Sequence, residues 1–450
     1  MFDLAFRALI HGLYFFALAC LIKLLRALWK RPFPTNAPKL VSGYPVVGAL
    51  QFFFTQNEFC RSSKANSPTG NYSYYLGQHQ VIGLCGTQGR KTFFESRDLD
   101  LGQGASLLVP FVNLVENPQD PSVDTHLSHL HYIFRTRLLR TQSLQFIPAA
   151  IEMCTTATLN RITDKGLIDP FQEMTLFYAQ STMAVMGVSE VALSPELSSK
   201  VSKLFGAMDG TFHVSDMAIP WLLNPLHIPT LISLGQLWVM LWQIISKQRK
   251  LGQQKQPSTR DPAKENMLQD MIEKGWSTRA IFKANSPTVA SWILMWLTTD
   301  PQWMARVRQE IEQVIDKHRE KGEPAEDVLR SLHVNTWEHE FPLLRACMLE
   351  AVRLVVTLVL IRKNISAVDI PIGNTGEVIP PGTYVTYDAR EVTRDPNVYP
   401  DPQRWDPGRF LPDREEHLKE VLASTGFGGG RHKCRECVSP GHCRSGLTRL

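Results

Sequence analysis

The residues best suited to chemistry lie near the C-terminus, in the string FGGGRHKC at 427–434. Phe427, Gly430 and Cys434 fit the spacing F-x-x-G-x-x-x-C. A single cysteine on a glycine-rich turn lets the backbone approach a flat cofactor closely, because glycine lacks a Cβ and tolerates positive φ. A thiolate there can coordinate haem iron and push electron density onto it. Arg431 and His432 stand just before the cysteine, where they can pair with anionic groups at a cofactor's edge. Taken alone, the string reads equally well as a glycine-rich surface turn beside an unrelated cysteine.

Two upstream segments change that balance. In LRACMLEAVRL, Glu350 and Arg353 are three positions apart and share one face of a helix. Such a pair is usually a solvated surface pair worth little. Its flanks, Leu349, Val352 and Leu354, are apolar, so partial burial is expected here, with further partners to offset desolvation. Downstream, DPNVYPDPQRWDPGRF forms a proline-rich loop ending in Arg409 and Phe410, a stiff holder for a second arginine.

In this order and spacing, the Glu350/Arg353 pair, the proline-rich segment ending in Arg409 and the cysteine motif resemble the cytochrome P450 superfamily of haem-thiolate monooxygenases. The resemblance covers essentially residues 1–434 and looks like the membrane-bound microsomal class. It implies a mainly α fold with small β-sheets, and haem between a long central helix and the cysteine loop. Glu350, Arg353 and Arg409 would form a buried triad supporting that loop, and Cys434 would be the axial ligand of the iron. His432 and Arg362 would face the haem propionates. The family's oxygen-activating pattern has its best match in FKANSPTVASW at 282–292. In one alignment Thr288 is the usual alcohol, with Asn285 in place of glycine and Pro287 in place of the acid. In another, Asn285 stands where threonine is usual, as in a subset acting on sterols or rearranging peroxides. A Ser-Pro helix entry without catalytic role is the plain alternative.

From Cys434 the chain reads CRECVSPGHCRSGLTRL, with 16 residues beyond the ligand. Family members place a glycine two residues on and then an apolar helix. Here Glu436 occupies the glycine position, and Pro440-Gly441 would end any helix begun at the cysteine. The expectation is therefore a tail truncated or altered after the ligand, and with it an alternative function: a membrane-anchored relative unable to retain haem. Zinc binding by Cys434, Cys437, His442 and Cys443 is a weaker reading, because adjacent His-Cys is poor chelate geometry.

These residues need a scaffold, and the chain is long enough to supply one. It has 450 residues, 44% of them apolar and 20% charged. With 48 basic against 43 acidic residues the net charge is only +5, so no nucleic-acid partner is expected. Eight cysteines, five of them scattered singles, suggest reduced thiols and not a disulfide framework.

Residues 4–28 are apolar enough to span a bilayer, with Lys23 and Arg26 snorkelling. Lys23, Arg26, Lys30 and Arg31 follow it against Arg7 alone before it, which places the body in the cytoplasm. An N-terminal transmembrane helix over 1–31 is expected, with a cleaved signal peptide as the rival. Pro32, Pro34, Pro38 and Pro45 make 32–48 a stiff hinge. Residues 49–434 then form one haem-thiolate monooxygenase-like domain, followed by an atypical tail at 435–450. A strand is expected at 80–86, and helices at 124–160, 170–187, 197–213, 231–250, 264–320 and 340–354. From Met217 to Ser246 no Asp, Glu, Lys or Arg occurs. Its prolines, Pro220, Pro225 and Pro229, suggest a membrane-dipping loop followed by a core helix, with Lys247, Arg249 and Lys250 suited to lipid headgroups.

Together these features predict a single-pass protein of the endoplasmic reticulum membrane. Its haem would insert one oxygen atom from O2 into a lipophilic small molecule, sterol, terpenoid or other secondary-metabolite-like, with electrons from an NADPH-dependent reductase.

Overall fold

The computed structural model describes residues 30–105, 107, 147–163, 169–185, 188–207, 227–254, 296–297, 299–320, 322–355, 358–426 and 428–430, together with helical His11, Tyr14, Leu18 and Ile22. Helices dominate, and the strands are confined to a six-stranded and a two-stranded sheet. The chain forms two compact units that interleave along the sequence. The first takes in Met1–Pro110, Gly210–Ile228 and Leu358–Glu391, and the second Phe111–Asp209, Pro229–Thr357 and Val392–Leu450.

The first unit holds the sheets. Strands β1 (Lys39–Leu40), β2 (Tyr72–Leu76), β3 (His79–Leu84), β4 (Leu99–Asp100), β5 (Val359–Asn364) and β8 (Tyr384–Asp388) lie in the order β1-β2-β3-β8-β5-β4. Strands β6 (Ile370–Pro371) and β7 (Val378–Ile379) form the small antiparallel pair. The expected strand at 80–86 is β3, starting one residue earlier and ending two earlier. The sheet joins distant stretches of chain: β3 runs parallel to β8 with Ile82 opposite Val385, and β8 runs antiparallel to β5 with Thr386 opposite Ile361.

Side chains alternate across a strand, so neighbours in β5 serve opposite faces. Ile361 joins the core of Phe52, Phe59, Tyr72, Tyr74, Leu76 and Tyr384. Arg362 faces the other way, onto Phe93 and Phe94 of helix α1 (Gly86–Glu95).

The second unit is helical, with α2 (Ile147–Thr163), α3 (Pro170–Val185), α4 (Pro195–Gly206), α5 (Ile228–Gln254, from Pro229 on), α6 (Pro301–His318) and α7 (Pro342–Val355). Helix α6 begins because Asp300 caps it, accepting the Trp303 amide at 3.1 Å, and because Pro301 suits the first helical position. The continuous helical run expected over 264–320 is therefore interrupted: Asp300 is extended, with φ −122° and ψ 91°.

Helix α7 is capped by its neighbour. Buried Glu310 of α6 accepts the Leu343 and Leu344 amides at 2.7 and 3.0 Å, satisfying donors that a helix start leaves open.

Helix α5 departs from the expected core helix. Pro229 sits in its first turn, where a missing amide is harmless, and does not break it. Leu237, Ile244 and Ile245 are buried, but Ile228, Ile232, Val239 and Trp242 are exposed, and the apolar window within Ile228–Lys250 is only 28% buried. That stretch is long and apolar enough to cross a membrane. Lys247, expected to be available to lipid headgroups, pairs with Glu190 at 2.7 Å.

Candidate active site

Helix α7 presents Glu350 and Arg353 inward, three residues apart and fully buried. Their pairing is bidentate: Arg353 Nε donates to Glu350 Oε2 at 2.7 Å and Nη2 to Oε1 at 2.8 Å. Arg353 also donates through Nη1 to the carbonyls of Thr393 and Pro402, both at 2.8 Å, and lies 5.0 Å over the Tyr399 ring. Its Nη1 is thus spent on backbone of the segment that follows the sheet, so one side chain ties α7 to the proline-rich loop. Burial pushes the Glu350 carboxyl upward, against the downward pull of Arg353 and the Asp406 amide. A pair at 0% and 3% exposure persists only with such additional partners.

The loop delivers the second arginine. Arg409 lies in a 3-10 turn, Pro407–Phe410, started by Pro407 and capped by Asp406, whose carboxylate accepts the Gly408 amide at 3.1 Å. At 1% exposure its Nη2 donates to the Asp401 carbonyl at 2.8 Å, Nη1 donates to the Pro400 carbonyl, and Nε stands 3.4 Å from Glu350 Oε1. Glu350, Arg353 and Arg409 are thus brought together in the second unit.

Residues that the motif search missed surround them. Glu416 is buried against Arg409, and Arg414 bridges Glu416 to Asp406. Arg394 donates to the carbonyls of Leu354 and Pro402. The signal for Glu416 was the DREE run at 413–416, an acid seven positions after Arg409.

The start of the cysteine loop is laid directly on α7. At Gly426 a Cβ would stand 2.3 Å from Val352 Cγ1, so only glycine permits that approach. Gly428 and Gly430 have φ of +70° and +57°, the left-handed region that other residues enter at a cost. Phe427, Arg431, His432 and Cys434, and with them Thr288 and Asn285, lie outside the described residues. The described cysteines are all free thiols. Burial pushes Cys60 up to about 11 and Cys347 up to about 12, so both stay protonated at neutral pH. Among the described residues no group of His, Cys, Asp and Glu could hold a metal ion.

Arg362, in the first unit, is a buried cation without a buried anion beside it. Its Nη1 donates to the Phe93 carbonyl at 2.5 Å and its guanidinium lies 4.7 Å over the Phe93 ring. Among the described residues its Nε has no hydrogen-bond partner, at 2% residue exposure. Desolvation pulls its pKa down to about 10, opposed only by Asp100. An orphaned, buried guanidinium is a strong receptor for a carboxylate.

A family model described as cytochrome P450 matches residues 284–435, which contain the Glu350/Arg353 pair, Arg409 and Cys434 in one continuous alignment. That match supports the cytochrome P450 superfamily as the family of this chain. Among curated proteins, this chain is 29% identical over 410 residues to the cytochrome P450 monooxygenase AacuE of Aspergillus aculeatus, covering 87% of this chain and 80% of that one. It is 28% identical over 408 residues to the cytochrome P450 monooxygenase nsrP of Aspergillus novofumigatus, covering 87% and 77%. The fold is similar to that of the retinoic-acid-bound cyanobacterial CYP120A1, with a TM-score of 0.64 at 18% identity over 89% of this chain and 87% of that one.

Membership of the superfamily implies haem with a thiolate ligand, and oxidoreductase chemistry. In the second unit, the glycine-rich backbone through Gly426, Gly428 and Gly430 suits close approach to such a flat group.

Proposed function

We propose that this protein is a membrane-anchored haem-thiolate monooxygenase that inserts one oxygen atom from O2 into a lipophilic small molecule, of sterol, terpenoid or other secondary-metabolite-like class. The observation that carries the reading is the buried Glu350–Arg353 pair, tied to Arg409 through the proline-rich loop and to the cysteine loop through Gly426. Such a desolvated charge cluster is costly, and it persists here next to Gly426, which opens the approach to the cysteine motif.

Haem, when bound, supplies activation of O2, with electron density donated by the thiolate. Cys434 would hold the iron. Arg362, His432 and Arg431 would hold the propionates, the first already stripped of water and stacked on Phe93. Thr288 or Asn285 would hold or pass a proton. Electrons would come from an NADPH-dependent reductase.

The proposed site of action is the endoplasmic reticulum membrane, with the catalytic part in the cytoplasm. Supporting it, Tyr14, Leu18 and Ile22 are helical and exposed, at 71%, 52% and 43%. The exposed apolar face of α5 fits a lipophilic substrate that arrives from the bilayer.

The test is a reduced carbon-monoxide difference spectrum of the full chain. A thiolate-type Soret band, abolished by Cys434→Ala, is the expected result. Absence of haem uptake would overturn the reading in favour of a non-catalytic, membrane-anchored relative. A monooxygenase and a peroxide isomerase separate on one further comparison: product formed from a peroxide without reductant identifies the isomerase.

A further inference from the structure

Glu350 is already fully engaged before Arg409 reaches it. Its Oε2 takes Arg353 Nε, and its Oε1 takes both Arg353 Nη2 at 2.8 Å and the Asp406 amide at 3.0 Å. Arg409 approaches through Nε alone, at 3.4 Å and without hydrogen-bond alignment. One carboxylate between two buried guanidinium groups leaves a positive charge unanswered, which a desolvated site does not tolerate.

The answering carboxylate is Glu416. Only 3% exposed, it accepts Arg409 Nη1 on Oε2 at 2.9 Å. Its Oε1 accepts Arg414 Nε at 3.1 Å and Nη2 at 2.5 Å. Arg414 turns back through Nη1 to Asp406 Oδ2 at 2.7 Å, and the Asp406 amide closes the ring onto Glu350. Glu350, Glu416 and Asp406 thus answer Arg353, Arg409 and Arg414, while Arg394 lies at the edge of the cluster on the carbonyls of Leu354 and Pro402. The backbone is bent to achieve this. Glu415, just before Glu416, has φ of +39°, and Asp401, whose carbonyl accepts Arg409 Nη2, has φ of +52°. Neither is glycine, and strain of this kind persists only where surrounding contacts over-determine it.

Glu416 opens the segment that leads to Cys434. That segment is pinned three times: by Glu416 on Arg409, by buried Ala423 among Val392, Val398 and Tyr399, and by Gly426 on Val352. We propose that Glu416 is a positioning residue for the cysteine loop, the counter-ion of Arg409 that fixes where the segment 416–430 begins its approach to the haem ligand. This rests on Cys434 being the ligand, as proposed above.

The test uses the full chain with Glu416→Gln and Glu416→Asp. Hydrogen exchange at the Leu418, Lys419, Ala423 and Gly428 amides, which are bonded within this segment, reads its position directly. Glu416→Gln is expected to speed their exchange roughly tenfold or more, from loss of a buried charge-assisted bond, with the α7 amides unchanged. In the haem-loaded chain, the share of haem showing the thiolate-type band should fall at least about threefold, and Glu416→Asp should recover part of it.

Unchanged exchange, or acceleration spread equally over α7, overturns the proposal, as does an unchanged thiolate share alongside faster exchange. Should the wild-type chain take up no haem, the monooxygenase reading fails and the exchange result alone decides the role of Glu416. Should Glu416→Gln fail to fold, Arg414→Gln withdraws only the outer partner. It must speed the same amides by a smaller factor, and no change there overturns the proposal.

Discussion

Replacing Arg353 with leucine withdraws the main cation on Glu350, which is 0% exposed. Two charge-assisted bonds to Glu350 are lost, together with the Arg353 donations to the carbonyls of Thr393 and Pro402, the latter keeping only Arg394 as a donor. Orphaning one partner of a buried ion pair costs about 3–5 kcal/mol, against a total domain stability of about 5–15 kcal/mol.

The charge left behind makes this cost depend on pH. Burial already holds the Glu350 carboxyl above its ordinary value of 4.5, and Arg353 is the first of the groups pulling it down. Without Arg353 the upward push grows. For an acid whose folded value is raised, the favourable contribution is present below the unfolded value and lost as pH climbs through the folded one. The deficit of Arg353→Leu is therefore largest at neutral pH and narrows on acidification toward 4.5.

Urea unfolding of both chains at neutral and mildly acidic pH, read by midpoint and slope, measures it. Arg353→Lys, which keeps the charge and loses the fork, should fall between leucine and wild type. A deficit under about 1 kcal/mol at neutral pH, the size of an exposed pair, would refute the reasoning, as would a deficit that widens on acidification.

Three further outcomes are expected. Glu310→Ala orphans the first amides of α7 and should cost about 1–3 kcal/mol by urea unfolding, with Glu310→Gln, which keeps one acceptor, costing less. Gly426→Ala should cost about 1–3 kcal/mol by overpacking against Val352. Adding Val352→Ala should return part of it, giving a coupling above about 0.5 kcal/mol in the double-mutant cycle, and strict additivity would show that the two do not touch. Arg362→Met removes a cation whose pKa desolvation depresses to about 10, so the haem-free chain should melt no lower than wild type, and up to about 1 kcal/mol more stable. The same variant should retain less haem in a dialysis assay; a destabilised apo-protein with normal haem retention would instead make Arg362 structural.

The extent to which this was legible in the sequence follows from the range of each interaction. Glu350 and Arg353 are three residues apart on one helix, and helical geometry alone places them side by side. Pro301 and Pro342 mark helix starts, because proline fits the first turn and little else in a helix. The glycine run at 428–430 announces positive φ, which Gly428 and Gly430 adopt. The helix break at Asp300 was also visible in the Asp-Pro pair, but helical periodicity on both sides concealed it.

Sequence by itself determined the local chemistry: which residues can carry a thiolate, which pair shares a helix face, where glycine is needed. Tertiary structure decided whether those groups are buried, and burial sets their energetics. No spacing rule identifies Glu416 as the partner of Arg409, since the pairing depends on a left-handed turn at Glu415. Nor does any rule reveal Arg362 as an orphaned cation. Its environment comes from Phe93 and Phe94, more than 250 residues earlier in the chain, brought beneath it by a sheet that joins β3 to β8 and β8 to β5. An arginine in water is unremarkable chemistry; the same arginine stripped of water and counter-ion becomes a receptor for an anion, and only the packed fold can do the stripping.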